Sequence, residues 1–498
     1  MTHIIRRRVL AALSLSWLGG CGGAAEEEAV PAITYSEFSG GLDRRLPIGV
    51  QDANRLWTLK NAYVTLGKKI KKRPALVQVA GLTSSVGLES LNGRRAVFVD
   101  GAGGMTAFPT YDLYRLDKPG TISGSLSEVS YATVFQGFVF VVAHYSSGET
   151  RYHYLDGATT YITDANCPNT RGVTKSASRI FAPDGADVRY CAAGDVRDWT
   201  TASDAGFLPC GLQQDTSADV TACGTFEDAL VVFFPDGAQI WDVAVDPSAN
   251  QIRKRIYGVG CNAPASLSSF FRDLVFLSPF GFRSMTVQES TDRIDDTDVG
   301  VQIDSLVDAT STTARGLWVP QFGQYWCVFP GASTTTVWVY TVSRASKIAC
   351  WSQYEFPLVV TGICTVGGAV FVRGSDGNTY RLDTEVYQDS LSGAPAEPID
   401  VDVQMAFQDA KLPGVEKMFY GADFVFSGTA DVSYLYDPRD TSKETAAYSV
   451  TGDTRTTTVV PVEVSAAAIA PRFRHSAAEA FEISLLTLYF HSLSATAS

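Results

Sequence analysis

Few residues in this chain are of types that do chemistry, and they are scattered. There are five histidines: His3, His144, His153, His475 and His491. A neutral imidazole is a common metal ligand and general base. His144 and His153 stand nine residues apart, the spacing of two arms of one hairpin. Two readings follow, an approximate metal pair or a hydrogen-bonded pair packed in a core, and the second is favoured. The acidic run Asp292, Asp295, Asp296, Asp298 and Asp304 suggests calcium. It lacks the D-x-[DN]-x-[DN]-G grammar with a distal Glu, so a solvated loop is favoured. No G-x-S-x-G elbow, H-E-x-x-H, P-loop or dinucleotide fingerprint is present. The expectation is a protein that is not an enzyme, with no catalytic or metal residues and no cofactor.

Two charged segments remain. Lys68, Lys69, Lys71, Lys72 and Arg73 form a basic run in a chain whose formal charge is −13. They are candidate interaction residues, facing acidic neighbouring subunits or phosphates. The alternative is a charged edge that blocks unwanted strand pairing. At the N-terminus, Arg6, Arg7 and Arg8 precede an apolar run over residues 9–18, then Leu18-Gly19-Gly20-Cys21. That pattern matches a secretory signal ending in an acylated cysteine, with Cys21 the candidate lipidation site. The apolar run is too short to span a bilayer. The competing reading is an N-terminal arm of a protein assembled in the cytoplasm. The other eight of nine cysteines include no C-x-x-C pair, and reduced core thiols are favoured over a disulfide framework.

The elements that must carry these residues are strands. Hydrophobic residues make up 45% of 498, enough for a large core, and 43 glycines accompany many Val and Thr. Seven segments share one grammar: an apolar strand, a turn rich in Gly, Asp, Pro or Ser, and a second strand. They begin at residues 94, 136, 178, 228, 272, 323 and 368, so they recur every 42 to 51 residues. A four-stranded propeller blade takes about 40 to 50 residues, and a blade buries its faces only by stacking on others. The fold expected is all-β, a β-propeller of about six to eight blades over residues 81–390. A string of β-sandwiches is the alternative. Residues 1–30 form the arm or signal-like segment, 31–80 an N-terminal strand segment, and 391–498 an added C-terminal β-sandwich-like region. Trp199, Trp241, Trp326, Trp338 and Trp351 lie in or beside the hairpins. Blade packing is favoured for them over an interaction surface.

Four stretches carry a family resemblance. FSGGLDRRLPIGVQDANRLWTLKNAYVTLGKKIKKRPAL, residues 38–76, resembles the opening of tail nozzle proteins of short-tailed bacteriophages, also called tail tubular B or packaged-DNA stabilisation proteins. Its Gly40-Gly41, Leu46-Pro47, Asn61-Ala62 and Lys72-Arg73-Pro74-Ala75 match the family's pieces, with Ala75 replacing the usual Gly. SRIFAPDGADVRYCAAGDVRDWT (178–200), GVGCNAPASLSSFFRDLVFLSPFGFRSM (258–285), and KMFYGADFVFSG with the final FEISLLTLYF follow in the family's order. The signal-like N-terminus departs from the pattern. The resemblance implies a structural virion protein located in the tail. It would be a homohexameric ring below portal and adaptor, extending the DNA channel, retaining packaged DNA and carrying fibres or spikes. Phage DNA would pass without sequence-specific binding, as an acidic wall permits. Two other functions stay open: a lipid-anchored, membrane-attached bacterial propeller scaffold, and a propeller hydrolase or lyase acting on glycans. The last would need carboxylates from several blades converging on one channel mouth, a pattern that spacing does not reveal.

Overall fold

A computed structural model of the protein describes residues 30–80, 83–101, 105–107, 111–156, 161–202, 204–214, 217–270, 272–291, 298–455 and 459–493. The chain divides into two compact units, Arg73–Ile399, and Met1–Lys72 together with Asp400–Ser498.

The first unit is a seven-bladed β-propeller. Its innermost strands are Gly87–Leu91, Leu126–Phe135, Thr174–Ser176, Ala222–Phe226, Ser268–Phe270, Arg315–Val319 and Val360–Val366; all but Arg315–Val319 begin a separate sheet of three or four strands, and Arg315–Val319 begins a longer one. Second strands such as Ala229–Phe233 (ALVVF) are buried at every position, because neighbouring blades cover both faces. One apolar cluster joins Phe98 and Tyr114 of the first blade to Val129 and Val141 of the second. Others join the second blade to the third, the third to the fourth, and the fourth to the fifth. Full burial of each such side chain contributes about 1.5–3 kcal/mol.

Closure of the ring is visible in two places. Leu88 and Val97 of the first blade pack with Cys364 and Phe371 of the seventh. The strand Ala75–Gln78, which precedes the first blade in sequence, is the outer strand of the seventh, with Leu76 opposite Leu382. Arg73 and Asp389 lock it: the guanidinium donates to both carboxylate oxygens at 3.0 and 2.5 Å, and the Leu76 amide donates to the same carboxylate at 2.8 Å.

The all-β propeller expectation therefore holds, with three local differences. In the first blade the residues after Arg94–Asp100 do not form a simple hairpin. Tyr111–Leu116 lies beside that strand in parallel, and the short Met105–Ala107 moves to the outer edge. Burial of Leu113, Tyr114 and Leu116 outweighs the local preference for a turn. In the fifth blade a helix, Met285–Thr291, follows the third strand, packed by the buried Met285 and Gln288. At the expected boundary near residue 390 the chain forms a small hairpin, in which Gln388–Asp389 pairs Glu397–Pro398.

The second unit is a β-sandwich built from both chain ends, so the strands over residues 31–72 belong with the C-terminal region. One sheet runs Val460–Ala466, Lys417–Ser427, Glu482–Ser492, Ile70–Lys72, Ala62–Val64, with Ala32–Ser36 also on Glu482–Ser492. The other places Arg55–Lys60, Val401–Met405, Ala470–His475, Thr429–Leu435 and Tyr448–Thr451 side by side. Phe424 and Phe473 meet edge to face at 5.9 Å between the two sheets, and the Tyr35 hydroxyl donates to the Ile469 carbonyl at 3.1 Å.

Candidate functional site: the axial cavity of the propeller

The seven innermost strands and the turns leading into them enclose a cavity of about 380 Å³ on the propeller axis. In that position alternate side chains of an inner strand point at the axis. Strand Gly87–Leu91 supplies Glu89, strand Leu126–Phe135 supplies Glu128 and Ser130, the approach to the third blade supplies Arg171, and the sixth blade supplies Arg315. Hydroxyls of Thr174, Thr225 and Ser269 and the apolar side chains of Leu267, Leu274 and Ile363 complete the wall.

Two arginines share one acid. Arg171 donates to Glu128 at 3.0 Å, and Arg315 donates to its other carboxylate oxygen. Burial alone would raise the Glu128 carboxyl, but Arg315 and Arg171 together hold it below the usual carboxylate range. Behind it His144 is fixed from both sides, Nδ1 to the Thr150 hydroxyl at 2.8 Å and Nε2 to the Ser130 hydroxyl at 2.6 Å. Burial, helped by Arg171, pushes His144 down to about 4, so the ring is neutral at pH 7. Ser269 donates to the Thr225 carbonyl at 2.8 Å, tying the fifth blade to the fourth.

Glu89 differs from these groups. Its carboxyl makes no hydrogen bond or ion pair among the described residues. Burial pushes it up to about 8, against the opposing charge of Arg315. At neutral pH it is mostly protonated and can donate a proton or a hydrogen bond. Cys223 lines the same cavity, but burial raises its thiol far above neutrality, which makes it a poor nucleophile.

Apart from His144, the residues singled out from sequence lie elsewhere. His153 sits opposite Val141 while His144 sits opposite Thr150, so the two rings are not adjacent, and His153 Nε2 bonds the Tyr145 hydroxyl at 2.9 Å. Among the described residues no group of three potential ligands is placed to hold a metal. Asp292, Asp295 and Asp296 lie outside the described residues, as do His3 and Cys21. Asp298 accepts from the Ser284 amide and Gln288, and Asp304 from Arg283 at 2.8–2.9 Å, which are structural roles. In the basic run Lys68 pairs Glu37 at 2.9 Å and Lys69 pairs Glu482 at 2.8 Å. Lys72 is buried, donating to the Ala477 carbonyl at 2.8 Å beside His475, and Arg73 is buried on Asp389. Only Lys68, Lys69 and Lys71 of the five keep surface for a partner. The five tryptophans of the hairpins are all buried, and Trp199, Trp241, Trp326 and Trp351 each satisfy the indole N–H internally. The eight cysteines from Cys167 to Cys364 are buried and unbridged.

No family model matches the chain, and no curated protein does. Among solved structures it is similar to BamB from Moraxella catarrhalis, at 8% identity and a TM-score of 0.36, over 63% of this chain and 97% of that one. It is also similar to the Pan2 WD40 domain of Neurospora crassa, at 12% identity and a TM-score of 0.37, over 62% and 94%. The computationally designed protein Ika8 matches at 9% identity and a TM-score of 0.35, over 63% and 100%. Likenesses this distant carry nothing about activity or partners.

Proposed function

We propose that this propeller is a non-catalytic scaffold and that it serves as a subunit of a phage tail nozzle. The observation that carries the reading is the ordered set of sequence resemblances, which runs from residue 38 to residue 490 and touches both units. The strand Ala75–Gln78, at the end of the first stretch, is the one that closes the propeller ring. An axial cavity of about 380 Å³ has the size of a small-molecule site. A DNA channel would therefore lie between several copies of the chain and not along one propeller axis. A net charge of −13 suits a wall past which phosphates slide without sticking. Lys68, Lys69 and Lys71 are then the part of the basic run with surface to offer a portal-adaptor, a fibre or spike, or an adjacent copy, Lys68 and Lys69 while paired with Glu37 and Glu482. The test is negative-stain microscopy and sedimentation of the full chain with and without phage particles. Ring-shaped oligomers that co-sediment with tails are expected. A monomer absent from every particle would reject the nozzle.

A second reading, a lipid-anchored bacterial propeller scaffold, rests on Arg6 to Cys21. The first described strand starts at Ala32, eleven residues after Cys21, a spacing that suits a short tether. Several acyl chains on a processed cysteine anchor stably where one is marginal. Labelling expressing cells with radioactive palmitate separates the two: loss of label and of membrane attachment in Cys21→Ala supports the anchor, and no label in the parent chain rejects it.

A further inference from the structure

We infer that Lys72 and His475 form an acid-sensitive latch in the sandwich: a proton added to the His475 ring displaces the Lys72 ammonium and frees the strand Ile70–Lys72. Both residues are buried, at 2% and 3% exposure. An ammonium carries three N–H donors. Those of Lys72 meet the Ala477 carbonyl at 2.8 Å, His475 Nε2 at 3.1 Å and the Glu479 carbonyl at 3.4 Å. His475 Nδ1 lies 2.6 Å from the Thr429 carbonyl, which can only accept, so that nitrogen carries the ring's hydrogen. Nε2 is then the bare nitrogen, and its lone pair accepts from Lys72. Phe481 stacks on the ring at 4.8 Å and holds its plane. An imidazolium would turn a second N–H toward the ammonium and set two buried cations in contact. The strand that would give way is short. Ile70–Lys72 pairs with Ala62–Val64 on one side and with only Glu482 and Ile483 on the other. Lys72 is also the last residue of this unit before the chain enters the propeller. This inference is independent of any role in a virion.

The other charged groups around the ring have their own partners. In the segment after it, the Glu479 carboxylate accepts from the Thr429 amide at 2.8 Å. On its own strand, Arg472 and Arg474 point to the opposite face of the sheet, where they donate to Asp402 and Glu444. Val401 lies opposite His475, and Asp400 before it is exposed. On strand Thr429–Leu435, Asp431 lies opposite Arg474, and on the N-terminal strand Lys71 lies opposite Tyr63 and Glu482. Burial lowers His475, helped by the Lys72 charge, against the Thr429 and Glu479 contacts that raise it. A ring held below its ordinary 6.5 takes its proton more readily once the strand has opened. Opening therefore becomes easier as pH falls from 6.5.

Amide hydrogen exchange of the full chain from about pH 7.5 to 5, corrected for the intrinsic pH dependence of exchange, tests this. Protection at residues 70–72 should fall about tenfold from pH 6.5 to 5.5, while residues 422–426 of the same sheet keep theirs. His475→Gln retains an acceptor for Lys72 and does not titrate, so its protection at 70–72 should stay level over that range. Lys72→Met removes the second cation, so the ring, followed by NMR in histidine-labelled protein, should titrate higher than in the parent chain. A flat parent profile, the same fall in His475→Gln, or a folded parent ring that titrates at its ordinary value would each overturn the inference. An equal fall over 422–426 would overturn it too, because that is general acid unfolding. The parent chain's profile decides the matter even if a variant fails to fold.

Discussion

At the scale of single residues, the buried ionisable groups set how stability changes with pH. His144 and His153 are both held at about 4 by burial, so in the folded chain they resist protonation while the unfolded chain accepts protons below about 6.5. The unfolded state then binds more protons between pH 6.5 and 4, and stability falls as pH falls through that window. Glu89 works in the opposite direction. Its folded value of about 8 exceeds its ordinary 4.5, so the folded state binds the extra proton and stability falls as pH rises from 4.5 to 8. A stability maximum near pH 6 is expected from these groups, to be checked by urea midpoints between pH 4 and 9. Glu89→Gln removes the alkaline loss. After allowing for water in the cavity, the variant should exceed the parent by about 2 kcal/mol at pH 8.5 and by little at pH 5.

At the scale of elements, the closing strand and the first blade make separate predictions. Asp389 holds Arg73 and the Leu76 amide at once, so Asp389→Ala strands a buried guanidinium and loosens the strand that seals the ring. A loss of about 3–5 kcal/mol is expected, read as a lower denaturation midpoint of the propeller. In the first blade, Tyr111–Leu116 is an interior strand and Met105–Ala107 an edge. Amide hydrogen exchange should be slower in 113–116 than in 105–107. The simple hairpin suggested by RRAVFVDGAGGMTAF would reverse that order.

At the scale of the whole molecule, the sandwich needs both chain ends. Ile70–Lys72 and Ala32–Ser36 pair with Glu482–Ser492, and Arg55–Lys60 pairs with Val401–Met405. A chain starting at residue 30 should keep native circular dichroism and cooperative melting. A chain starting at residue 73 should aggregate, because removing those strands leaves unpaired edges and uncovered apolar faces on the C-terminal hundred residues. Soluble, monomeric material from the second truncation would show that residues 400–498 need no N-terminal partner.

The propeller was legible in the sequence because each blade repeats a local rule. Segments such as DALVVFFPDGAQIWDV carry strand-forming residues and a turn within about fifteen positions, and all seven such segments fall on the strands of seven successive blades. Strand propensity and turn chemistry act between near neighbours, so sequence alone sets them. The axial site obeys no local rule. Glu89, Glu128, Arg171 and Arg315 sit on four blades, each an ordinary charged residue in its own stretch, and only closure of the ring brings them to one cavity. The basic run shows the same limit from the other side: adjacent residues Lys72 and Arg73 read alike in sequence, yet one is buried beside His475 and the other on Asp389. Charge type is written in the chain. Which charges find partners depends on contacts hundreds of residues apart, and those exist only once the strands have packed.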